Sequence, residues 1–374
     1  MKIYYEDSMP YGREFFHDLG DCQVFSHQTI TAEQLKDADI LLVRSTTKVN
    51  ESLLKQADKL QFVSTATAGM NHMDLGYLQQ RDIAYSSAAG CNAIAVAEYV
   101  LSAMFAERHV LNKNLLDATV GIVGAGHVGS ALAAKLDAMG IDYKLCDPPL
   151  QNAGDSRCFV DLEDIMTCDV ITLHTPLVKG GEHPTEHMFD QQRLSRLTEN
   201  QLLINACRGE VLDNSGALEL LEKGHRLNLV LDVWENEPEI NLALVPHTLL
   251  ATAHIAGHTI EGKARGTEML YQQVCQRLDV PVTKSLSDYL PAPVLPEIAL
   301  TADELNEHVY AQLIHQVYDI RNDDALFKQT VAKPGQFAYI RKHYAIRREF
   351  AATRVSAGNL TGSEAIYSLG FRRN

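Results

Sequence analysis

Two series of short runs rich in valine, isoleucine and leucine, each closed by a polar or glycine-containing turn, restrict the folds open to this chain. The first series is Lys2–Tyr5, Gln23–Phe25, Ile40–Val43, Gln61–Ser64 and Ile83–Ser86. The second begins at TVGIVGAG and continues through YKLCDPP, DVITLHTPL, QLLINACRG, LNLVLDVW and TLLATAH. Short apolar runs of this kind suit strands buried on both faces, as in a parallel sheet covered by helices. Amphipathic segments lie between them, such as Thr31–Asp39, where Thr31 is expected to cap a helix and Leu35 to face inward. The rhythm predicts an α/β protein of two doubly wound, Rossmann-like or flavodoxin-like lobes, with ligands at the carboxyl ends of the strands.

At 374 residues the chain exceeds one ordinary core. A long apolar helical pattern from Asn92 to about Leu116 separates the two series, and Thr259–Leu278 reads as a helix returning to the first lobe. The proline-rich DYLPAPVLP near 288–296 marks a further boundary. The expected division is a substrate-binding lobe at 1–95 with 257–285, a nucleotide-binding domain at 96–256, and a C-terminal α+β domain at 286–374. That last region holds a helical run from Thr301 to about Ile320 and the basic stretch RKHYAIRREF at 341–350.

Composition excludes several partners. A formal net charge of −15 offers no overall basic field for nucleic acid or an anionic membrane. No stretch approaches the roughly 20 apolar residues of a membrane helix. The N-terminal MKIYYEDSMP reads as a first strand rather than a secretion signal. Seven scattered cysteines without a C-x-x-C pair predict reduced thiols in a cytoplasmic protein and no metal centre.

Gly124, Gly126 and Gly129 form G-x-G-x-x-G with His127 and Val128 between the last two. A strand precedes this loop and a helical segment follows it, the context that turns a weak pattern into a dinucleotide site. The first two glycines allow a tight turn and close approach of backbone to pyrophosphate; the third allows helix–strand packing. The following helix offers its free N–H groups to phosphate. Asp147 ends the next strand, roughly 20 residues on, where a carboxylate accepts hydrogen bonds from ribose hydroxyls. Its charge repels a 2′-phosphate, so NAD is expected rather than NADP.

Three further residues supply what hydride transfer from an alcohol needs. His254 can take the hydroxyl proton, because imidazole titrates near neutrality. Glu237 can orient that ring and stabilise its charged form. Arg208 presents a planar fork to a substrate carboxylate and can polarise the developing carbonyl. Each lies at or just beyond the end of an apolar run of the second series.

The order GAGHVG, HTPL, NACRG, LDVWENEP and HIAGHT resembles the D-isomer-specific 2-hydroxyacid dehydrogenases over about residues 1–280. The resemblance implies the catalytic roles just given. It also implies nicotinamide-side contacts from Thr175, Cys207, Gly209, Asp232 and Gly257, with Cys207 a small residue under the cofactor rather than a nucleophile. RSTTKVNESLL, STATAGMNH, GCNAIAVAEYV and the tail motifs LPAP, VYDIRNDDA and RKHYAIRREF narrow the likeness to a branch of that family acting on a phosphorylated hydroxy acid. Ser45, Thr67 and His258 are then expected on the substrate, and the C-terminal domain is expected to form a homodimer. In that branch a tyrosine occupies the place of His258. For the phosphate, the candidate cations are Arg44, Lys48 and the cluster Arg341, Lys342, Arg347 and Arg348, with Arg347 and Arg348 singled out. Two alternatives stand: a dehydrogenase for 3-phosphoglycerate or D-lactate, and a non-catalytic NAD-sensing protein like the corepressors that share the fold.

Overall fold

Every apolar run of both series forms a strand in the computed structural model, which describes residues 1–374. The chain divides into two compact units, 1–92 with 259–291, and 93–258 with 292–374. In the first, β1 (Lys2–Glu6), β2 (Asp21–Phe25), β3 (Ile40–Val43), β4 (Phe62–Thr65) and β5 (Ala84–Ser87) pair in parallel in the order β2-β1-β3-β4-β5. β3 and β4 are buried at every residue, which explains why their sequence shows no alternation. β2 lies at the edge and is mostly exposed, so it tolerates Asp21 and Gln23. The strand order reverses between β1 and β3, so the loops after these strands flank the switch point of the sheet.

The helix Ile260–Leu278 covers part of this sheet. Thr259 caps it through its hydroxyl, which accepts from the Gly262 N–H at 2.9 Å. A Cβ at Gly266 would stand 2.4 Å from the Ala66 carbonyl oxygen, so glycine permits the helix to rest directly on the loop after β4. The helix expected over Thr31–Asp39 shrinks to one 3₁₀ turn, Glu33–Leu35, with Leu35 fully buried. There the Thr31 N–H and hydroxyl both donate to the Gln34 side chain, at 2.9 and 3.1 Å.

The second unit carries a parallel six-stranded sheet of β6 (Val120–Val123), β7 (Tyr143–Cys146), β8 (Val170–Leu173), β9 (Leu202–Asn205), β10 (Asn228–Leu231) and β11 (Leu250–Ala251). Their order is β11-β10-β9-β8-β6-β7. A single bridge between Leu145 and Phe159 continues it beyond β7. The switch point falls between β6 and β8, beside the glycine loop. The apolar helix spans Ala93–Glu107 and stops short of Leu116; Arg108 then turns its Nε to Glu307 at 2.6 Å, and the chain proceeds in single 3₁₀ turns.

Residues 292–374 share the core of residues 93–258. Phe105 meets Tyr310, and Trp234 stacks on Phe327 with ring centroids 5.7 Å apart. The helix expected from Thr301 to Ile320 is two helices, Glu307–Val317 and Ile320–Thr330. Asn306 caps the first and Asp319 the second, so the break is written in capping residues. A three-stranded parallel sheet of β12 (Glu297–Ala299), β13 (Arg354–Ser356) and β14 (Arg372–Arg373) completes the unit. No helix is long and apolar enough to cross a membrane.

Candidate active site

The glycine loop leaves β6 as its spacing requires. A Cβ at Gly124, whose φ is +92°, would lie 2.7 Å from the His174 backbone, and one at Gly129 only 2.1 Å from the Gly124 carbonyl oxygen. At Gly126 a Cβ would meet nothing within 4 Å. The loop is thus closed tightly from within and bare outward, the shape a pyrophosphate needs. Gly126 caps the helix His127–Met139; Gly126 and His127 are exposed, Val128 half-buried, and the helix N–H groups lie at this open side. Asp147 follows β7. Its Oδ2 accepts from the Ala125 N–H at 2.8 Å and its Oδ1 from the Leu150 N–H at 3.1 Å. Each oxygen keeps a lone pair for a ribose hydroxyl. These features fit a dinucleotide.

Sequence reasoning missed Arg157. Paired with Asp155 at 2.7 Å, it donates from Nη1 to the Ala125 carbonyl and to Ser130 Oγ, both at 2.9 Å. It braces the loop from behind, and no spacing rule marks such a residue.

The trio follows the carboxyl ends of three adjacent strands, β9, β10 and β11. His254 Nδ1 and Glu237 Oε2 are 2.7 Å apart. Glu237 is itself held, since its Oε1 accepts from the Trp234 N–H at 2.9 Å. The ring is therefore oriented through a carboxylate that is fixed by backbone. His254 has φ 55°, a left-handed conformation uncommon outside glycine. Asp232 holds that turn. Its backbone oxygen accepts from the His254 N–H at 2.7 Å, and its buried carboxylate accepts from Thr252 Oγ1, Ile255 N–H and Ala256 N–H at 2.6, 2.7 and 3.0 Å. Asp232 and the half-buried Gly257 thus border the turn that presents the imidazole.

Arg208 is half-buried, with Nη1 donating to the Cys207 carbonyl at 2.7 Å. Asn205 shapes its loop, donating to the Arg208 carbonyl at 2.9 Å and accepting from the Cys207 N–H at 3.2 Å. A Cβ at Gly209 would sit 2.0 Å from the Trp234 carbonyl group. Glycine there lets the arginine loop lie against the segment that carries Glu237. Cys207 is buried, and burial pushes its thiol pKa up, so it is held as a neutral thiol. Thr175 follows β8 with its N–H beside Gly124.

Nearby, His187, Asp213 and Glu235 bring metal-capable atoms within 4.8 Å of one another. All three are already engaged: His187 Nε2 with Glu235 Oε1 at 2.6 Å, and Asp213 Oδ1 with the Gly216 N–H at 2.8 Å.

In the first unit, Ser45 and Lys48 are exposed and Arg44 and Thr67 half-buried, on loops after β3 and β4. Glu6, fully buried at the end of β1, organises them. Its Oε1 accepts from Thr46 Oγ1 at 2.6 Å and from Ser8 Oγ; its Oε2 accepts from Thr47 Oγ1 at 2.6 Å and the Arg44 N–H at 2.9 Å. Burial raises its pKa, but the hydroxyls of Ser8, Thr46 and Thr47 and the Arg44 N–H more than offset that and hold it below the ordinary glutamate value. Glu6 escaped the sequence reading because an acid ending an apolar run has no motif.

The tail arginines divide. Arg347 is 5 % exposed, donating to the Ala256 carbonyl at 3.1 Å and the Ala95 carbonyl at 2.6 Å while stacking over Tyr318. Its two Nη groups donate inside the unit, while the equally buried Nε has no hydrogen-bond partner. Arg348 is half-buried, whereas Arg341 and Lys342 are exposed at the end of the helix Gln336–Lys342. The half-buried His258 meets the Tyr344 ring edge-on at 6.0 Å.

Residues 89–256 match the D-isomer specific 2-hydroxyacid dehydrogenase NAD binding domain, and residues 289–370 match a domain family of unknown function. The chain is 60% identical over 373 residues to an erythronate-4-phosphate dehydrogenase of Pseudoalteromonas atlantica, with 100% of both chains covered. It is 46% identical to that of Serratia proteamaculans, covering 99% of each. Among solved structures, an NAD-bound 3-phosphoglycerate dehydrogenase of Entamoeba histolytica aligns with TM-score 0.62 at 24% identity, over 76% of this chain and 99% of that one. A D-lactate dehydrogenase of Aquifex aeolicus aligns with TM-score 0.58 at 22% identity, over 74% and 95%. At that identity the two structures speak for the fold, whereas the end-to-end relatives place the chain among the erythronate-4-phosphate dehydrogenases of the D-isomer specific 2-hydroxyacid dehydrogenase family.

Proposed function

We propose that this chain oxidises 4-phospho-D-erythronate to (R)-3-hydroxy-2-oxo-4-phosphooxybutanoate with NAD, a step toward pyridoxal 5′-phosphate. The observation that carries the chemistry is the 2.7 Å pair of His254 Nδ1 and Glu237 Oε2. A carboxylate only accepts, so Nδ1 keeps its hydrogen and Nε2 is left with the lone pair. Nε2 takes the C2 hydroxyl proton, and Glu237 stabilises the resulting imidazolium. Arg208 holds the substrate carboxylate and polarises the forming carbonyl oxygen with donors not used on Cys207. NAD, held at the glycine loop and Asp147, supplies the acceptor for the C2 hydride. Thr175, Cys207, Gly209, Asp232 and Gly257 line its nicotinamide side in this reading, and Ser45, Thr67 and His258 contact substrate. The substrate itself comes from the relatives, which match over the whole chain.

The reading extends to a cytoplasmic homodimer joined through the C-terminal region, where Val294, Leu326, Tyr339 and Ile346 stand exposed. The test of function is incubation with 4-phospho-D-erythronate and NAD while absorbance of the reduced cofactor is followed, with a 2-oxo acid added as electron acceptor in parallel. Turnover of the phosphorylated acid is expected. A strong preference for an unphosphorylated hydroxy acid, or NAD binding without turnover of any, overturns it.

A further inference from the structure

The switch point of the first unit carries a pair of half-buried cations, Arg44 and Lys263. Arg44 opens the loop after β3, and its Nη1 donates to the Ser8 carbonyl at 2.9 Å, which leaves its other guanidinium donors uncommitted to that carbonyl. Lys263 sits in the first turn of the helix Ile260–Leu278, one turn before Gly266, which lies against the loop after β4. Residues three apart share a helix face, so Lys263 lies on the face turned toward the loop after β4 that holds Thr67, within range of the Arg44 charge on the loop after the neighbouring β3. Burial lowers the Lys263 pKa, and the Arg44 charge lowers it further, with no carboxylate opposing either. Glu6 offsets part of the cost of burying the Arg44 charge, but its two oxygens are taken by the loop's hydroxyls and the Arg44 N–H, and it exerts no such effect on Lys263. Burying the Lys263 charge beside a second cation costs stability, and such local conflicts mark functional sites. In a chain of net charge −15 the two cations also form the local positive spot that an anion requires.

We propose that Lys263 and Arg44 together form the phosphate-binding end of the substrate site, at the carboxyl edge of the first sheet. The assignment rests on the proposed function, and it moves the phosphate from the tail cluster to a helix face that no phosphate motif marks. A phosphate dianion bridges the two cations: Arg44 offers a planar fork, and Lys263 a point charge on a flexible stem. Lys263 is thereby a determinant of the preference for phosphorylated over unphosphorylated acid.

The experiment compares kcat/KM for 4-phospho-D-erythronate and D-erythronate in the wild type, Lys263→Met and Lys263→Arg. The ratio of the two is expected to fall at least tenfold in Lys263→Met and to recover in part in Lys263→Arg. A Lys263→Met ratio equal to that of the wild type overturns the assignment. A wild type with no preference for the phosphorylated acid defeats the functional reading instead. A second measurement on the wild-type protein decides the cation site independently, and also serves if Lys263→Met does not fold. Reductive methylation of Lys263, read by mass spectrometry, is expected to slow at least threefold with inorganic phosphate, while exposed Lys48 reacts at its usual rate; equal Lys263 rates with and without phosphate overturn the site.

Discussion

The two parallel sheets share a topology and use their switch points differently. In the second unit the turn after β6 is bare backbone, three glycines with N–H groups at a helix start. In the first unit the turns after β1 and β3 are filled by side chains: Glu6 accepts four hydrogen bonds and Arg44 supplies charge, with Lys263 adding charge from the helix Ile260–Leu278. A nucleotide pyrophosphate can be held by main chain, which demands glycine at fixed positions. A small acid is held by side chains that converge from distant parts of the chain. The same architecture therefore writes one site plainly in sequence and hides the other.

The sharpest test of the second unit is His254→Gln. It removes the one proton acceptor paired with Glu237 while keeping a polar side chain of similar reach. General acid–base catalysis contributes roughly 10²- to 10⁴-fold, so kcat is expected to fall by that factor, with NAD affinity retained. Turnover within tenfold of the wild type would mean that the proton leaves by another route. Steady-state kinetics and NAD titration by cofactor fluorescence together decide it.

For the first unit the corresponding change is Glu6→Ala. It strands the hydroxyls of Thr46 and Thr47 and the Arg44 N–H, each losing a bond of 2.6 to 2.9 Å. A buried donor left unpaired costs about 1–3 kcal/mol before relaxation; of the three, Thr47 is buried while Thr46 is exposed and Arg44 half-buried, so a loss of roughly 1–3 kcal/mol is expected in urea unfolding. The sign with pH follows from the lowered pKa of Glu6. A carboxylate whose folded pKa lies below its unfolded value stabilises the protein above the unfolded value, and that contribution disappears as pH falls through the folded one. The stability gap between wild type and Glu6→Gln should accordingly narrow in acid. A gap that widens there would show that Glu6 is held protonated.

Glycine substitutions probe the backbone side of the comparison. Gly129→Ala places a Cβ 2.1 Å from the Gly124 carbonyl oxygen, whereas Gly126→Ala points one into open space. The first is expected to destabilise the protein by about 1–3 kcal/mol, as overpacking does. The second should change the melting temperature little and weaken NAD binding by occupying the phosphate's place. Equal effects of the two on NAD affinity, with stability unchanged in both, would break the claim that the loop is closed inward and open outward.

What could be read from the sequence follows this division. All eleven apolar runs became strands because buried parallel strands need unbroken apolar residues, and the glycine loop declared itself by spacing. His254, Glu237 and Arg208 were legible because each follows a strand end, and topology puts strand ends on one edge. The helix at Thr31–Asp39 was misjudged in length because Gln34 answers Thr31 directly and closes the turn. The surroundings of Arg347 were not legible, because a basic stretch does not reveal that the fold turns this one guanidinium onto Tyr318 and two backbone carbonyls. Glu6, Arg157 and Lys263 lay beyond reach: each acts through partners set by tertiary approach, which no local pattern encodes.

The smallest expected effect asks whether the carboxyl edge of the second unit holds a second imidazole–carboxylate pair besides His254–Glu237 whose charges are coupled. His187 has φ 49° and pairs through Nε2 with Glu235 Oε1 at 2.6 Å. The hydrogen bond that its ring N–H donates to Glu235 raises its pKa above 6.5; partial burial opposes the rise, and the charges of Glu235, Asp213 and Glu186 add to it. A raised folded pKa means that the pair stabilises the protein fully below the unfolded value and ceases to do so as pH climbs through the folded one. Because His187 is exposed, the energy involved is small, and titration reports it better than unfolding does. The NMR midpoint of His187 is expected above 6.5 in the wild type and nearer 6.5 in Glu235→Gln. A midpoint unmoved by that change would mean that the His187–Glu235 pair carries no charge coupling.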